Sequence, residues 1–392
     1  MRQGRRRGGW GFAAFTLAAG CDTIPHAVDR GSPQQEETPV GKAAPRFRHV
    51  TIDPEPPGGE HDVTLLHDLT GNGLPDVIIG SKRGDVNLMW YENPGWARHD
   101  MASAPNLEAG GVVVDVNGDG RPDVVVGQQW GGHELYWFEC PADPREPWTK
   151  HIIENRFEKY HDQAVGDIDG DGEPELVAVS QRSGVLVYYD IPPDPTVSPW
   201  PASCCHPIAE GIDEIEGLAI VDIDGDGQTE LIAGPSVFRR AADGTWSARC
   251  FAPDYVKTRV GVADLDGDGR LEMVLAEGES HPGRLAVCSA PDWTPRVLCD
   301  DLFHPHSLEV ADFTGDGLPD IFVGEMGLGR NAEPRLILFV NQGGGRFEPT
   351  TLSRGIPTHE AKAADMTGNG RPDIVGKSYD PERHIDIWYN EG

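Results

Sequence analysis

The chain carries seven short segments whose side chains could together hold metal ions. Each segment is nine residues long, with oxygen-bearing side chains at positions 1, 3, 5 and 9 and glycine at positions 4 and 6. The segments begin at Asp68, Asp115, Asp167, Asp222, Asp264, Asp312 and Asp365. Oxygen ligands at this spacing can surround one hard cation such as Ca²⁺, and the glycines permit the sharp turn of the loop. The pattern therefore predicts a set of calcium loops.

The five segments between residues 115 and 320 are the strongest candidates, because each brings three or four carboxylates together. Two such charges about 4 Å apart repel each other by roughly 4 kcal/mol at an effective dielectric constant of about 20, so these loops should need a cation to keep their shape. An Asp/Gly turn without metal is the alternative, above all in the loops at Asp68 and Asp365, where Thr and Asn replace charged ligands. The predicted ligands are Asp115, Asn117, Asp119, Asp123, Asp167, Asp169, Asp171, Glu175, Asp222, Asp224, Asp226, Glu230, Asp264, Asp266, Asp268, Glu272, Asp312, Asp316 and Asp320.

The spacing of the segments indicates a repeat protein. Their starts lie 42 to 55 residues apart. One short apolar run precedes each segment and two follow it, and in all but the last repeat a fourth run starts with an aromatic residue such as Trp96 or Trp148. Four short strands in each of seven repeats predict an all-β fold, a seven-bladed β-propeller with four-stranded blades. We expect the repeated aromatic residues to pack between blades.

The last repeat stops after its third run, and the missing fourth run lies at the other end of the chain. Phe47–Ile52 has the pattern of the fourth runs that start at Trp96 and Trp148. We therefore predict that the N-terminal strand completes the last blade and closes the ring, which also removes an exposed sheet edge. Residues 46–392 then form one domain.

With its aspartate loops in repeats of this length, the sequence resembles the FG-GAP/VCBS repeat family, whose calcium-loop propellers include the head of the integrin α-subunit. The resemblance covers residues 46–392. It implies a propeller in which the calcium loops join the first and second strands of the blades on one face. It implies no particular activity, because propellers carry many functions.

The start of the chain has the features of an export and attachment segment. Several arginines precede an apolar stretch from Trp10 to Ala19 that is too short to span a bilayer, so residues 1–21 are predicted to be a signal peptide. Its end resembles a bacterial lipobox, which implies lipidation of Cys21; a plain secretory signal is the alternative. Residues 22–45 are rich in Pro, Gln, Glu and Gly and are predicted to be a disordered tether. We expect an exported protein, at the cell surface or in the periplasm, that meets the membrane only through its lipid.

The amino-acid composition limits the kinds of partner that the protein can bind. The chain has 392 residues and a formal net charge of −31, much of it from the loop positions, which argues against nucleic acid as a partner. Six cysteines besides Cys21 permit disulfides without assigning them. Cys288 and Cys299, on adjacent predicted strands, are the first pair to consider, and free buried cysteines are the alternative. The sequence defines no oligomeric state.

A second set of candidate residues lies six positions before each aspartate loop. The first strand of each blade should begin there, so these residues should ring the mouth of the central channel, opposite the calcium loops. The positions hold Asp62, Ala109, His161, Glu216, Thr258, His306 and His359. One interpretation is a divalent-metal site of the three histidines with Glu216 or Asp62. Another is acid–base chemistry, with His161 or Tyr160 as the base and Arg259 or a metal stabilising the charge that develops. A solvated polar mouth without a ligand is the remaining alternative.

Loops between the second and third strands reach the same face, and their basic and aromatic side chains suit an acidic sugar. They carry Lys82, Arg83, Gln128, Trp130, His133, Gln181, Arg182, Glu279, His281, Glu325, Arg330, Lys377, Tyr379 and Arg383. In blade number and in this mouth the chain resembles ulvan lyases and the propeller part of aldos-2-ulose dehydratase, which implies β-elimination on a saccharide. The predicted function is a lyase or dehydratase acting on a saccharide or polysaccharide. A non-catalytic module that binds a glycan or a protein is the alternative.

Overall fold

The computed structural model describes residues 42–212 and 214–392. The predicted signal peptide, Cys21 and residues 22–41 of the predicted tether lie outside the described residues. Residues 42–45 of that tether lie against the propeller: the backbone N–H of Lys42 donates to Gln342 at 2.7 Å, and Ala44 packs with buried apolar side chains. No helix among the described residues is long and apolar enough to cross a membrane.

The described residues form seven antiparallel four-stranded sheets, the blades, and one short 3-10 helix, Ala202–Cys204. Blade I contains β2 (Gly59–His67), β3 (Asp76–Arg83), β4 (Leu88–Glu92) and β5 (Ala97–Ala102). Blade II contains β6 (Val112–Val114), β7 (Asp123–Gly127), β8 (Leu135–Glu139) and β9 (Thr149–Glu154). Blade III contains β10 (Tyr160–Gly166), β11 (Glu175–Ser180), β12 (Val185–Tyr189) and β13 (Cys205–Glu210). Blades IV and V contain β14 (Leu218–Val221), β15 (Glu230–Ala233), β16 (Ser236–Arg240), β17 (Trp246–Cys250); and β18 (Thr258–Ala263), β19 (Glu272–Glu277), β20 (Gly283–Cys288), β21 (Pro295–Leu302). Blades VI and VII contain β22 (Ser307–Ala311), β23 (Asp320–Gly324), β24 (Arg335–Gly343), β25 (Arg346–Arg354); and β26 (Lys362–Ala364), β27 (Asp373–Lys377), β28 (Ile385–Asn390) with β1 (Phe47–Asp53).

The blades form a closed ring around a central channel. The first strand of each blade contacts the first strands of both neighbouring blades, and the circle closes where β26 contacts β2. This confirms the predicted seven-bladed propeller. The aspartate loops connect the first and second strands, so they lie at one end of the channel, and the starts of the first strands lie at the other.

The core is divided into seven apolar clusters, and each cluster joins two adjacent blades. Trp148 of blade II, for example, lies in one apolar cluster with Ile78 and Trp90 of blade I. Trp148, Trp200 and Trp293 are buried, and Trp96 is partly buried between blades VII and I. The prediction that the repeated aromatic residues pack between blades is therefore confirmed.

The N-terminal strand closes the ring as predicted. Strand β1 pairs antiparallel with β28, and Phe47 lies opposite Asn390. A buried carboxylate holds the two strands together: Asp386 accepts hydrogen bonds from the Thr51 hydroxyl at 2.6 Å and from the His49 ring at 2.7 Å. Burial raises the pKa of Asp386, but these bonds and one from His384 outweigh burial and leave it below its ordinary value.

At the cysteines, the structure differs from the sequence prediction. All six described cysteines are free, so the pair Cys288 and Cys299 does not form a disulfide. In the register of β20 and β21, Cys288 lies opposite Pro295 and Cys299 opposite Leu285. Adjacent strands were predicted correctly, but the register keeps the two thiols apart.

The closure generates a first prediction. Thr51→Val keeps the side-chain shape but leaves the Asp386 carboxylate without one donor, so the free energy of unfolding should fall by about 1–3 kcal/mol. Urea unfolding followed by tryptophan fluorescence measures the change. Because the pKa of Asp386 is lowered, its contribution is present above pH of about 4 and should be lost as the pH falls below it. Thr350→Val, at an exposed position of the fourth strand of blade VI, is the control and should change little; equal effects of the two variants would contradict the proposed closure.

Candidate functional site

The starts of the inner strands bring the predicted mouth residues together. The closest group is His161, Glu216 and His306, whose ligand atoms all lie within 4.8 Å of one another. The Nε2 atom of His161 lies 3.7 Å from Glu216, and that of His306 lies 3.8 Å from it. All three are at most 2% exposed. Two imidazoles and a carboxylate therefore face one point in a buried setting.

His359 lies beside this group with its own partners. Its ring stacks on His306, with centroids 4.1 Å apart and planes 13° apart. Its Nε2 atom lies 3.3 Å from Asp62, and its Nδ1 atom lies 3.0 Å from the Lys377 ammonium. The predicted set of three histidines is thus arranged as two histidines around Glu216, with His359 adjacent. Asp62 is held by Lys82 at 2.6 Å.

A charged network orients the group from the channel side. Asp162 lies 2.6 Å from Nδ1 of His161 and accepts the Gly217 backbone N–H at 2.9 Å. Arg259 lies 3.3 Å from Asp162 and 3.4 Å from Glu360. Arg259, the predicted charge stabiliser, is therefore paired with two buried carboxylates inside the channel. Asp162 directly follows His161 in the sequence, which places it at the predicted mouth, but the sequence gives it no chemical role of its own.

Two other partners come from the second strands of the blades. Gln181 donates to Glu216 at 2.8 Å, and Lys377 donates to the backbone carbonyl of His359 at 2.7 Å. Both were counted with the surface loops in the sequence prediction. Their side chains instead reach the buried mouth, because the second strand of each blade ends beside the start of the first.

The structure places Tyr160 apart from the other predicted site residues. The strand is irregular between Tyr160 and Gln163, and Tyr160 and His161 face different environments. Tyr160 packs in the apolar cluster between blades II and III with Tyr189 and near Phe157. Burial raises the pKa of its hydroxyl above the ordinary value. The fold therefore does not bring Tyr160 to the mouth as a base.

Burial and neighbouring charges shift the pKa values of the three histidines in different directions. Burial lowers the pKa of His161, but the carboxylates of Glu216 and Asp162 outweigh this and raise it to about 9. Burial keeps the pKa values of His306 and His359 well below the ordinary value. It also lowers the pKa of Lys377 to about 8. Glu216 and Asp162 therefore favour the protonated form of His161, whereas burial favours the neutral forms of His306 and His359.

Several buried polar atoms at the mouth have no hydrogen-bond partner among the described residues. They include Nδ1 of His306, Oε2 of Glu216, Oε1 of Gln181 and both amide atoms of Gln163. Buried polar atoms are nearly always paired, so these atoms are available to bind an ion, a water or a ligand. Directly along the channel lies a cavity of about 140 Å³, lined by Asp162, Gln163, Arg259, Glu309, Glu360 and Lys362 among others.

The aspartate loops at the opposite end have a common internal geometry. In the third loop, Asp167 accepts the N–H groups of Gly170 and Gly172 at 2.7 and 3.0 Å, and both glycines have positive φ. The ninth residue, Glu175, accepts the N–H of Ile168 at 2.9 Å. Both oxygens of Asp167 and one oxygen of Glu175 therefore accept backbone N–H groups of the loop.

The loops differ in how closely these oxygens gather. Within the described residues, three loops bring three carboxylates within 4.8 Å: Asp167, Asp169 and Glu175; Asp222, Asp224 and Asp226; Asp264, Asp266 and Glu272. Cations of the protein approach four of the five predicted sites. In two of the converging loops, Arg239 lies 2.5 Å from Asp224 and Arg240 lies 3.9 Å from Asp169. The other two sites also have a cation. Arg121 pairs with Asp119, and Lys42 lies 2.5 Å from Asp316. The loops that fit a dication best are thus those with four predicted carboxylates.

Comparison with known proteins identifies the repeat. A family model described as FG-GAP-like repeat matches residues 68–126, 115–178, 167–233, 222–275 and 312–376. The chain belongs to this FG-GAP-like repeat family. The matched segments begin at the first aspartates of the loops and run into the strands of the next repeat, so the family pattern is the same one that the loops define. No curated protein matches the chain.

Among solved structures, BBS1N, crystallised in complex with ARL6DN, is similar with a TM-score of 0.55 and 12% identity, over 90% of this chain and 98% of that one. The exotype rhamnogalacturonan lyase YesX is similar with a TM-score of 0.48 and 14% identity, over 90% of this chain and 75% of that one. Likeness at such low identity describes the fold alone.

The network around His161 generates a second prediction. Asp162→Asn removes the charge that faces both His161 and Arg259 in the buried mouth, so the free energy of unfolding should fall by about 3–5 kcal/mol. Urea unfolding at neutral pH measures the loss. Arg259 and His161 outweigh burial and hold the pKa of Asp162 low, so the difference from wild type should shrink as the pH falls below about 4. The exposed Asp300→Asn is the control, and a loss under about 1 kcal/mol in Asp162→Asn would contradict the network.

Proposed function

We propose that the chain is an exported propeller that holds a divalent metal at its channel mouth and carries out β-elimination on a saccharide. The observation that carries the proposal is the buried convergence of His161, Glu216 and His306, with polar atoms that lack partners among the described residues. The export and lipid attachment rest on residues 1–21 of the sequence. The saccharide rests on the basic and aromatic residues around the mouth.

The donor set fits a transition metal such as Zn²⁺. Two imidazoles and one carboxylate are a known ligand combination for catalytic zinc, with one position left for substrate or water. The surrounding contacts fit as well, because Asp162 faces the other ring nitrogen of His161 and Gln181 holds Glu216. A bound metal would polarise a carboxylate or carbonyl oxygen of the sugar.

The proton transfer falls to His359, the imidazole outside the metal set. Burial keeps it neutral, and it lies beside His306. In the elimination, the proton on the carbon next to the sugar carboxylate moves to Nε2 of His359, because Nδ1 faces Lys377. The electron pair forms the new double bond, and the bond to the leaving oxygen breaks. Asp62, 3.3 Å from the ring, stabilises the imidazolium that results. Tyr379, which stacks on His359 with centroids 4.9 Å apart, is the proton donor for the leaving oxygen.

One observation favours the second candidate function, a non-catalytic module that binds a glycan or protein. The metal-ligand group is at most 2% exposed, and Asp62 and Lys377 are similarly buried. A substrate would reach it only after the side chains of the mouth have moved apart. A buried metal that fixes the mouth while a ligand binds on the surface would also use this donor set.

The mouth generates a third prediction, which separates the two functions. His161→Ala and His306→Ala should each lose one equivalent of a transition metal, measured by plasma mass spectrometry, and should lose turnover, scored as ultraviolet absorbance of unsaturated product on a panel of polysaccharides. His206→Ala, on an outer strand, is the matched control and should retain both. Turnover that survives in both mouth variants would overturn the elimination. Metal without product across the panel would favour the binding module.

We also propose that Ca²⁺ stabilises the propeller at the aspartate loops. The three loops with converging carboxylates bring like charges together, and a dication that binds the folded state adds its binding energy to stability. Calcium sites of extracellular modules have dissociation constants of about 10⁻⁴–10⁻³ M, a range that suits an exported protein.

The loops generate a fourth prediction. Chelation with EDTA should lower the melting temperature of the wild-type protein by many degrees relative to calcium buffer. Asp169→Ala should weaken the calcium-loaded protein more than Asn72→Ala, because it removes a charged ligand from a four-carboxylate loop. Thermal melting followed by circular dichroism measures both effects. Coincident wild-type melts with and without calcium would show that the loops are turns without a structural ion.

A further inference from the structure

An exposed aromatic residue flanked by two cations lies beside the mouth. We call it the Trp130 patch, defined as Trp130, Lys159 and Arg182. Trp130 is 48% exposed and is the only aromatic residue among the exposed large hydrophobic residues of the described chain. The Arg182 guanidinium lies 4.8 Å from its ring centroid, and the Lys159 ammonium lies 5.7 Å from it. On a chain of net charge −31, this is a local concentration of positive charge.

Lys159 lies within electrostatic reach of Glu108 and Glu279, but neither cation of the patch forms a close ion pair among the described residues. None of the ion pairs among the described residues involves Lys159 or Arg182, whereas other cations of this face, such as Lys82 and Lys257, pair with carboxylates. Lys159 is only 7% exposed, and its ammonium lies on the Trp130 side of the mouth, 5.7 Å from the centroid of the ring. Arg182 is exposed and has no close carboxylate partner among the described residues, so it is suited to an anionic ligand.

The patch is built on the same segments that form the metal-ligand group. Lys159 precedes His161 by two residues, and its carbonyl accepts the backbone N–H of Gln181 at 2.9 Å. Gln181 donates to Glu216, and Arg182 follows directly in the sequence. A ligand bound on the patch therefore lies next to the mouth.

The loop that carries Trp130 is held by hydrogen bonds from its neighbours. The Asn106 side chain donates to the Trp130 carbonyl at 2.9 Å, and the Gly131 N–H donates to Glu158 at 3.1 Å. A positioned ring loses little conformational freedom on binding, which favours recognition of a ligand surface.

We propose that the Trp130 patch is a subsite for a carboxylate-bearing sugar residue, which rests on the proposed action on saccharides. The C–H face of the sugar ring packs on the indole. The planar guanidinium of Arg182 pairs with the sugar carboxylate through two parallel hydrogen bonds, and Lys159 adds a second positive charge. The patch selects uronate-containing chains and leads them to the mouth.

The experiment measures binding of a galacturonate hexamer, with its methyl-esterified form as the uncharged counterpart, by titration calorimetry. The hexamer should bind more tightly than the ester, and its affinity should fall with added salt. Trp130→Ala and Arg182→Ala should each lower the affinity by about tenfold or more. Arg182→Lys should recover only part of the loss, because an ammonium does not reproduce the planar fork.

The matched control is Arg249→Ala, which removes an arginine that lies 5.2 Å from the ring of Trp293 on an outer strand, away from the mouth. It should leave the affinity unchanged. The same titration with His306→Ala separates this proposal from the metal centre. Binding that depends on Trp130 and Arg182 but not on His306 supports the patch even if no elimination occurs. Equal binding of acid and ester, unchanged affinity in the patch variants, or no binding of the hexamer would overturn it.

Discussion

The structure depends on apolar burial between blades, because a four-stranded sheet has two faces and no blade covers either of its own. Each of the seven apolar clusters draws side chains from two neighbouring blades, so every blade is stabilised from both sides only in a closed ring. Burial of large side chains such as Trp90, Trp137 and Trp388 supplies this contact. The loops and the mouth are thus attached to a scaffold whose parts hold one another in place.

The ring places a polar centre where the inner strands meet. Seven first strands converge on the channel, and their side chains carry more charge than a filled apolar core would accept. The structure compensates by pairing: Arg259 lies between Asp162 and Glu360, and Lys82 lies against Asp62. Such pairing holds buried charges at fixed positions, and it leaves His161, Glu216 and His306 directed at one point. This group of residues comes together only in the closed ring, because its members come from blades III, IV and VI.

Sequence reasoning correctly predicted the features that depend on a local pattern of residues. The aspartate spacing, the strand runs and the matching pattern of Phe47–Ile52 predicted the blades and the closure. It did not reach features set by side-chain direction or by packing between distant segments: Tyr160 faces the blade interface, and Lys377 turns inward to His359. The register of β20 and β21, which separates Cys288 from Cys299, likewise depends on irregular pairing of the two strands. Arg121 and Lys42 reach loop carboxylates for reasons that the loop spacing does not contain.

The shared seventh blade has a consequence for the order in which the protein is made. Blade VII combines β1, near the start of the chain, with β26, β27 and β28 at its end. Domains begin to fold as they emerge during synthesis, yet this blade has all its strands only when Asn390 has been added. Until then, β1 is a strand without a partner and blades I and VI each have an uncovered face. Closing so long a loop is slow, because the chain loses conformational entropy before the contacts between the strands form. Ring closure therefore requires strands from both ends of the described chain, and an incomplete chain exposes strand edges and apolar faces that favour aggregation.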